Sequence, residues 1–113
     1  NDETFPTSAG EQIRDFCYVD DITRGIVMTL TNNEVNGEII NLASGKAITI
    51  RRVVEYVQKT LGKGTPEFGK VAYRSGENMS LYADTTKANE ILKWKPSVTI
   101  EEGIREVINA HSC

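Results

Sequence analysis

The sequence predicts an α/β fold in which a small βαβαβ unit is followed by two helices. Short β-favourable runs alternate with segments whose apolar residues recur at helical spacing. The clearest helical stripe covers residues 50–61, and a capping box at Thr99 to Glu102 marks the start of the last helix. This alternation is typical of helices packed against a small sheet.

Three strands are expected, over residues 16–19, 38–43 and 66–73, the last of them weakened by Gly69. Strands this short make a poor independent sheet. We therefore expect them to extend or pack on a sheet supplied elsewhere, which is the first indication of a missing structural partner.

The first helix is expected after residue 19, with Asp20 or Asp21 placed to cap it. Its apolar residues recur at helical spacing: Ile22, Ile26, Val27 and Leu30. Gly25 interrupts this helix at a cost of about 1 kcal/mol relative to alanine, unless close packing requires the missing side chain.

The second helix has Thr49 as its expected cap and Gly62 as its expected end. Asp84 or Thr85 is placed to cap a short third helix, which ends at Trp94 because Pro96 prevents its continuation. Trp94 is expected in the core.

Composition excludes several classes of protein. The chain has 113 residues, 39% of them hydrophobic and 26% charged, which is typical of one globular domain. Its formal charge of −3 argues against nonspecific nucleic-acid binding. No apolar run approaches the ~20 residues of a membrane span, so no membrane association is expected. Two widely spaced cysteines favour reduced thiols and a cytoplasmic location.

The expected organisation is a flexible N-terminal segment, residues 1–10, followed by one domain over residues 11–113. The first residues carry no secretory signal pattern, and the chain begins with Asn1 in place of methionine. We therefore expect the chain to be cut from a longer protein.

The search for catalytic chemistry gives no candidate catalytic residue. The glycines at 62, 64 and 69 follow a helix, whereas a dinucleotide loop must follow a strand and open a helix. No tyrosine has a lysine four places later. His111 and Cys113 supply at most two zinc ligands, fewer than the three or four of a zinc site.

Two arginines remain as candidate ligand contacts, because both lie where an expected strand meets a loop. Arg14 precedes the first strand and Arg74 follows the third. Two guanidinium groups with forked donors suit a diphosphate. The alternative is that each forms a surface ion pair with its neighbour, Arg14 with Asp15 and Arg74 with Glu77.

Five short motifs, in order, resemble the C-terminal half of the extended short-chain dehydrogenase/reductases, the NAD-dependent nucleotide-sugar epimerases and dehydratases. They are RDFCYVDD at 14–21, EIINLASG at 38–45, YRSGE at 73–77, ADTTKA at 83–88 and LKWKP at 92–96. The resemblance runs from about residue 10 to residue 110.

This resemblance implies a two-lobed parent enzyme. An N-terminal Rossmann domain, absent from this chain, would bind NAD(P), and this chain would bind the nucleotide of the sugar substrate and no cofactor. By resemblance, Arg14 and Arg74 grip the diphosphate of a nucleoside-diphosphate sugar, Glu77 meets the ribose hydroxyls and Ile50 packs against the base. Glu77 replaces the family's usual aspartate, and Ser75 replaces its usual proline.

The parent would oxidise the sugar at C4 and then epimerise, dehydrate or reduce it, while this chain alone would be inactive. An alternative is a free-standing truncated remnant that acts as a dimeric binding or scaffold module. A purely structural interaction domain is a third possibility, although it leaves the two arginines without a role. We expect the isolated chain to self-associate or to be heterogeneous, because a sheet edge meant for missing strands would be exposed.

Overall fold

The computed structural model describes residues 3–111. Contacts within the chain define two compact units. Of the described residues, the first unit comprises 3–14, 47–81 and 104–111, and the second comprises 15–46 and 82–103. Among the described residues, no helix is long and apolar enough to cross a membrane.

The first unit contains two small pairs of strands. Strand β1 (Thr4–Pro6) runs parallel to strand β4 (Thr65–Glu67). Strand β2 (Ile13–Arg14) runs antiparallel to strand β3 (Ile48–Thr49). Residues 4–6 are thus strand, where the sequence pattern predicts an irregular segment, because β4 supplies their hydrogen-bond partners.

Helix α2 (Ile50–Leu61) connects these two pairs of strands, and its limits are those the sequence predicts. The Thr49 side chain accepts a hydrogen bond from the Arg52 N–H at 3.2 Å, which satisfies one free amide of the first turn. Gly62 ends the helix with a φ of 71°, a left-handed conformation that glycine adopts without strain.

The second unit contains α1 (Val19–Thr29), one turn of 3₁₀ helix (Asn33–Val35) and α3 (Thr86–Leu92). Helix α4 (Ile100–His111) begins in this unit, and its residues from 104 onward are assigned to the first unit. The predicted capping box is confirmed, since Thr99 and Glu102 exchange two hydrogen bonds of 3.1 Å.

The core of the second unit consists of Ala88, Leu92 and Trp94, with Trp94 only 1% exposed. Gly25 lies against this core. A β-carbon built there would come within 2.9 Å of Leu42 and 3.0 Å of the Trp94 indole nitrogen. Close packing therefore explains the glycine in the middle of α1.

Asp21 has a different role from the helix cap that the sequence predicts. The helix begins after Tyr18, and Asp21 lies buried in the first turn, 2% exposed. Its carboxylate accepts hydrogen bonds from the Ser97 N–H, the Ser97 hydroxyl and the Val98 N–H at 2.8–3.0 Å. Burial alone would raise the pKa of Asp21, but the hydrogen bonds from Val98, Ser97 and Arg24 outweigh it and hold that pKa below its ordinary value.

The strands predicted over residues 16–19 and 38–43 are wrong. Residues 15–18 and 38–42 have no regular secondary structure, although their apolar and β-branched residues favour extended backbone. A strand needs a neighbouring backbone as well as a suitable sequence, and the part of the chain that is described pairs neither run. The third prediction, residues 66–73, overlaps β4 only at its first two residues.

Candidate functional site

Arg14 is held by a backbone arrangement that surrounds β2 on both sides. On one side Arg14 pairs with Ile48 of β3. On the other, the Ile13 N–H donates to the Met79 carbonyl at 2.8 Å, and the Leu81 N–H donates to the Ile13 carbonyl at 3.0 Å. These bonds bring residues 79–81 beside β2, and the loop before them therefore lies near Arg14.

That loop contains a tight turn from Arg74 to Glu77. The Glu77 N–H donates to the Arg74 carbonyl at 3.0 Å, and Gly76 has a φ of 77° at the third position of the turn. A positive φ at this position is typical of a type II turn and favours glycine. The turn brings the Arg74 and Glu77 side chains together, with the Arg74 Nη2 3.6 Å from the Glu77 Oε2.

The same carboxylate oxygen also accepts from Arg14. The Arg14 Nη2 lies 2.8 Å from the Glu77 Oε2, and the Arg14 Nη1 donates to the Ile13 carbonyl at 2.8 Å. Both guanidinium groups therefore lie within 3.6 Å of one oxygen atom. Two cations and one anion leave this cluster with a net positive charge.

The two arginines differ sharply in exposure. The side chain of Arg14 is 23% exposed and that of Glu77 is 11% exposed, whereas the side chain of Arg74 is 86% exposed. Arg14 is thus a fixed cation, with two of its donors held by protein oxygens, and Arg74 is a cation that extends into solvent on the same carboxylate.

The ion pairs differ in part from those that the sequence suggests. Arg74 does pair with Glu77. Arg14 does not pair with its neighbour Asp15, whose carboxylate instead accepts from the Ser44 N–H, the Ser44 hydroxyl and the Gly45 N–H at 2.6–2.8 Å. No pattern within one segment predicts that Glu77 binds Arg14, because the two residues are 63 positions apart.

Ile50, the fourth candidate, is the first residue of α2 and lies two positions after the strand partner of Arg14. Its N–H donates to the Gln12 carbonyl at 3.0 Å, and its side chain is half-buried. A role for Ile50 beside a base stays a prediction.

Two polar groups near β2, the Tyr73 hydroxyl and the Gln12 side-chain oxygen, are not predicted from the sequence. The Tyr73 hydroxyl accepts from the Glu11 N–H at 3.0 Å, which ties the residue before Arg74 to the chain before Arg14. The Gln12 Oε1 is buried without a hydrogen-bond donor among the described residues. Neither residue has a sequence signal that would single it out.

The described residues 3–111 contain no group of three or more histidine, cysteine, aspartate or glutamate side chains suited to a metal ion. His111 lies at the end of α4, with its Nδ1 2.9 Å from the Val107 carbonyl oxygen. The sequence also places Cys113 beside it, and that residue lies outside the described part of the chain.

A family model described as GDP-mannose 4,6 dehydratase matches residues 1–107. Among curated relatives, the UDP-glucuronate 4-epimerase of Thermodesulfobacterium geofontis is 36% identical over 101 residues, which cover 88% of this chain and 30% of that protein. The chain thus spans about a third of the length of the curated relatives it matches.

Two solved structures are similar over nearly the whole chain. The dTDP-glucose 4,6-dehydratase of Bacillus anthracis, in complex with NAD, has a TM-score of 0.82 and 25% identity, covering 95% of this chain and 34% of that one. The UDP-glucuronic acid 4-epimerase of Bacillus cereus, in complex with UDP-glucuronic acid and NAD, has a TM-score of 0.73 and 32% identity, covering 91% and 32%.

The family match over most of the chain agrees with the resemblance of its five motifs and with its α/β architecture. The chain belongs to the GDP-mannose 4,6 dehydratase family and corresponds to the C-terminal part of an extended short-chain dehydrogenase/reductase.

Proposed function

We propose that this chain is the nucleotide-sugar-binding part of an NAD(P)-dependent epimerase or dehydratase, and that Arg14 and Arg74 together bind the diphosphate of the substrate. The observation that carries the proposal is that both guanidinium groups approach one carboxylate oxygen, at 2.8 Å and 3.6 Å. An arrangement that brings two arginines to one anionic oxygen can also bring them to the oxygens of one diphosphate.

Arginine suits this role because its planar guanidinium donates two parallel hydrogen bonds and keeps its charge at any physiological pH. Arg14 supplies a fixed point of attachment, whereas the exposed Arg74 closes on the ligand from solvent. Binding energy gained at the nucleotide, away from the reacting carbon, positions the sugar for chemistry performed by other parts of the parent protein.

We assign no step of that chemistry to this chain. Gly62 and Gly64 lead from α2 into β4, whereas a dinucleotide loop leads from a strand into a helix. This order of elements, together with the lack in the sequence of a tyrosine followed four places later by lysine, supports the proposal that this chain binds no NAD(P). We propose that the whole protein, with its Rossmann domain, converts the sugar at C4, and that the chain alone is inactive.

Calorimetric titration of the chain with UDP-glucose, UDP, dTDP-glucose and dTDP tests the proposal. Arg74→Ala is the informative variant because its exposed side chain can be removed with little risk to folding. We expect affinity to fall at least about 10-fold, since a hydrogen bond to a charged group contributes about 1.5–3 kcal/mol. Arg52→Ala, on the exposed face of α2, removes the same charge and should leave affinity nearly unchanged.

Arg14 requires a gentler substitution, because alanine there would leave the nearly buried Glu77 carboxylate without its partner. Arg14→Lys keeps the charge and removes the forked donors, and we expect it to weaken binding as well. Absence of binding by all four ligands to the unaltered chain would overturn the proposal, as would equal affinities for Arg74→Ala and Arg52→Ala.

A second candidate is a self-associating binding or scaffold module. The exposed apolar side chains of α1 and the residue after it favour it: Val19, Ile26, Val27 and Leu30 are 55–78% exposed. We expect self-association of the isolated chain by sedimentation velocity, and a single monomeric species at high concentration would contradict it.

The cytoplasmic location expected from the cysteines stays a prediction.

A further inference from the structure

Glu77 lies where an incoming diphosphate would meet the two arginines. Its Oε2 is the atom that both guanidinium groups approach, and its side chain is only 11% exposed. A carboxylate in this position affects an anionic ligand in two opposite ways: it holds Arg14 in place, and it repels the charge of the ligand.

The holding effect falls mainly on Arg14. Its Nη2 donates to Glu77 and its Nη1 to the Ile13 carbonyl, both at 2.8 Å. The Arg74 contact of 3.6 Å is longer than a hydrogen bond, and the Arg74 side chain is almost fully exposed. Arg74 can therefore leave Glu77 for a ligand while Arg14 stays held.

The repulsion grows with the charge of the ligand. A nucleoside-diphosphate sugar has its terminal phosphate esterified, whereas a free nucleoside diphosphate carries about one further negative charge there, because the second phosphate pKa is about 6. A nearly buried carboxylate beside both arginines disfavours the more highly charged ligand more strongly, since Coulomb energy is proportional to the product of the charges.

We propose that Glu77 is a specificity-determining residue, whose carboxylate holds Arg14 in place and favours the nucleoside-diphosphate sugar over the free nucleoside diphosphate by charge. This inference rests on the proposed function, and it assigns Glu77 a task other than the ribose contact that the family resemblance implies. The inference predicts a change in the ratio of the affinity for the nucleoside-diphosphate sugar to the affinity for the free nucleoside diphosphate. A residue that is needed only for folding would not change this ratio.

Glu77→Gln tests the inference because glutamine keeps an oxygen to accept from Arg14 and removes the charge. Titrations with UDP and UDP-glucose at pH 7.5 and low ionic strength give the ratio of the two affinities. We expect the variant to bind both ligands more tightly, with the gain for UDP larger by roughly 3- to 10-fold, as Coulomb's law gives for one extra charge several ångströms away in a mostly aqueous surrounding. The matching dTDP pair provides an independent measurement of the same ratio.

Two further variants make the result decisive. Glu55→Gln changes the net charge equally on the exposed face of α2, and its affinity ratio should equal that of the unaltered chain. Glu77→Met removes the charge while filling a similar space, and it serves if Glu77→Gln does not fold as judged by circular dichroism. An affinity ratio unchanged in the folded Glu77 variant overturns the inference alone, because both ligands still bind. A failure of all ligands to bind any form overturns the proposed function, and this inference with it.

Discussion

Replacing Asp21 by asparagine should cost the chain a large part of its stability. The carboxylate is 2% exposed and accepts three hydrogen bonds from Ser97 and Val98, which fix the chain between α3 and α4. Asparagine has one oxygen in place of two, and its NH₂ group would face donors where an acceptor is needed.

The expected cost follows from these bonds. One or two buried donors lose their acceptor, at about 1–3 kcal/mol each, so the free energy of unfolding should fall by about 2–4 kcal/mol. For a chain of this size, such a loss lowers Tm by roughly 10–20 °C. Urea unfolding and a thermal scan, both followed by circular dichroism at pH 7, measure the two quantities.

The pH dependence gives a second readout. Because the pKa of Asp21 is held below its ordinary value of 3.8, its contribution is complete above that value and is lost as pH falls below it. The stability difference between the unaltered chain and Asp21→Asn should therefore be largest at neutral pH and should narrow below about pH 4.

Asp20→Asn is the matched control, because Asp20 is the preceding residue in the same turn of α1 and is exposed. It removes the same charge and should change stability by no more than about 0.5 kcal/mol. Equal stabilities for the Asp20 and Asp21 variants at pH 7 would refute the reasoning that the buried carboxylate fixes this segment.

Three smaller predictions follow from local geometry. Gly25→Ala should destabilise the chain by about 1–3 kcal/mol in urea unfolding, because the new β-carbon would lie 2.9 Å from Leu42; a gain in stability, as helix propensity alone gives, would contradict it. Thr49→Ala should lower stability by about 0.5–2 kcal/mol by removing the cap of α2, whereas Thr49→Ser should keep it. In a Cys113→Ser chain, Cys17 should react with iodoacetamide more slowly than a free cysteine peptide at pH 8, because burial and the nearby carboxylates raise the pKa of its thiol; a rate equal to that of the peptide would count against this.

Sequence reasoning finds the helices of this chain because their signals are local. The limits of α2 follow from an apolar stripe between Thr49 and Gly62, and the start of α4 follows from a reciprocal capping box. Each of these features is complete within a few residues, so no knowledge of the rest of the fold is needed.

Strands and buried polar groups are harder to predict because they depend on distant partners. The apolar run at residues 38–42 reads as a strand, but the described chain gives it no paired backbone. The position of Asp21 just before the apolar stripe predicts a helix cap. In the structure its carboxylate instead accepts hydrogen bonds from residues that are 76 and 77 positions away in the sequence. Only the fold determines which of these alternatives is realised.

The candidate site also combines features that local sequence predicts with features that depend on distant residues. Arg14 and Arg74 can be selected from the sequence because each lies near an expected boundary between a strand and a loop. The ion pairs are set by the fold. Because β2 is hydrogen-bonded to residues 79–81, Glu77 lies close enough to pair with both arginines, and Arg14 pairs with Glu77 instead of with Asp15. The resemblance of several motifs in order identifies these residues as a group, but it does not predict the ion pairs between them.

We propose that one diphosphate engages the guanidinium groups of both Arg14 and Arg74. The most direct measurement is a titration of the ¹⁵N-labelled chain with UDP, followed through the side-chain Nε–H signals of Arg14 and Arg74 and assigned with Arg14→Lys and Arg74→Ala. We expect both signals to shift together along curves with one dissociation constant. A shift of only one of them, or two curves with different dissociation constants, would contradict it.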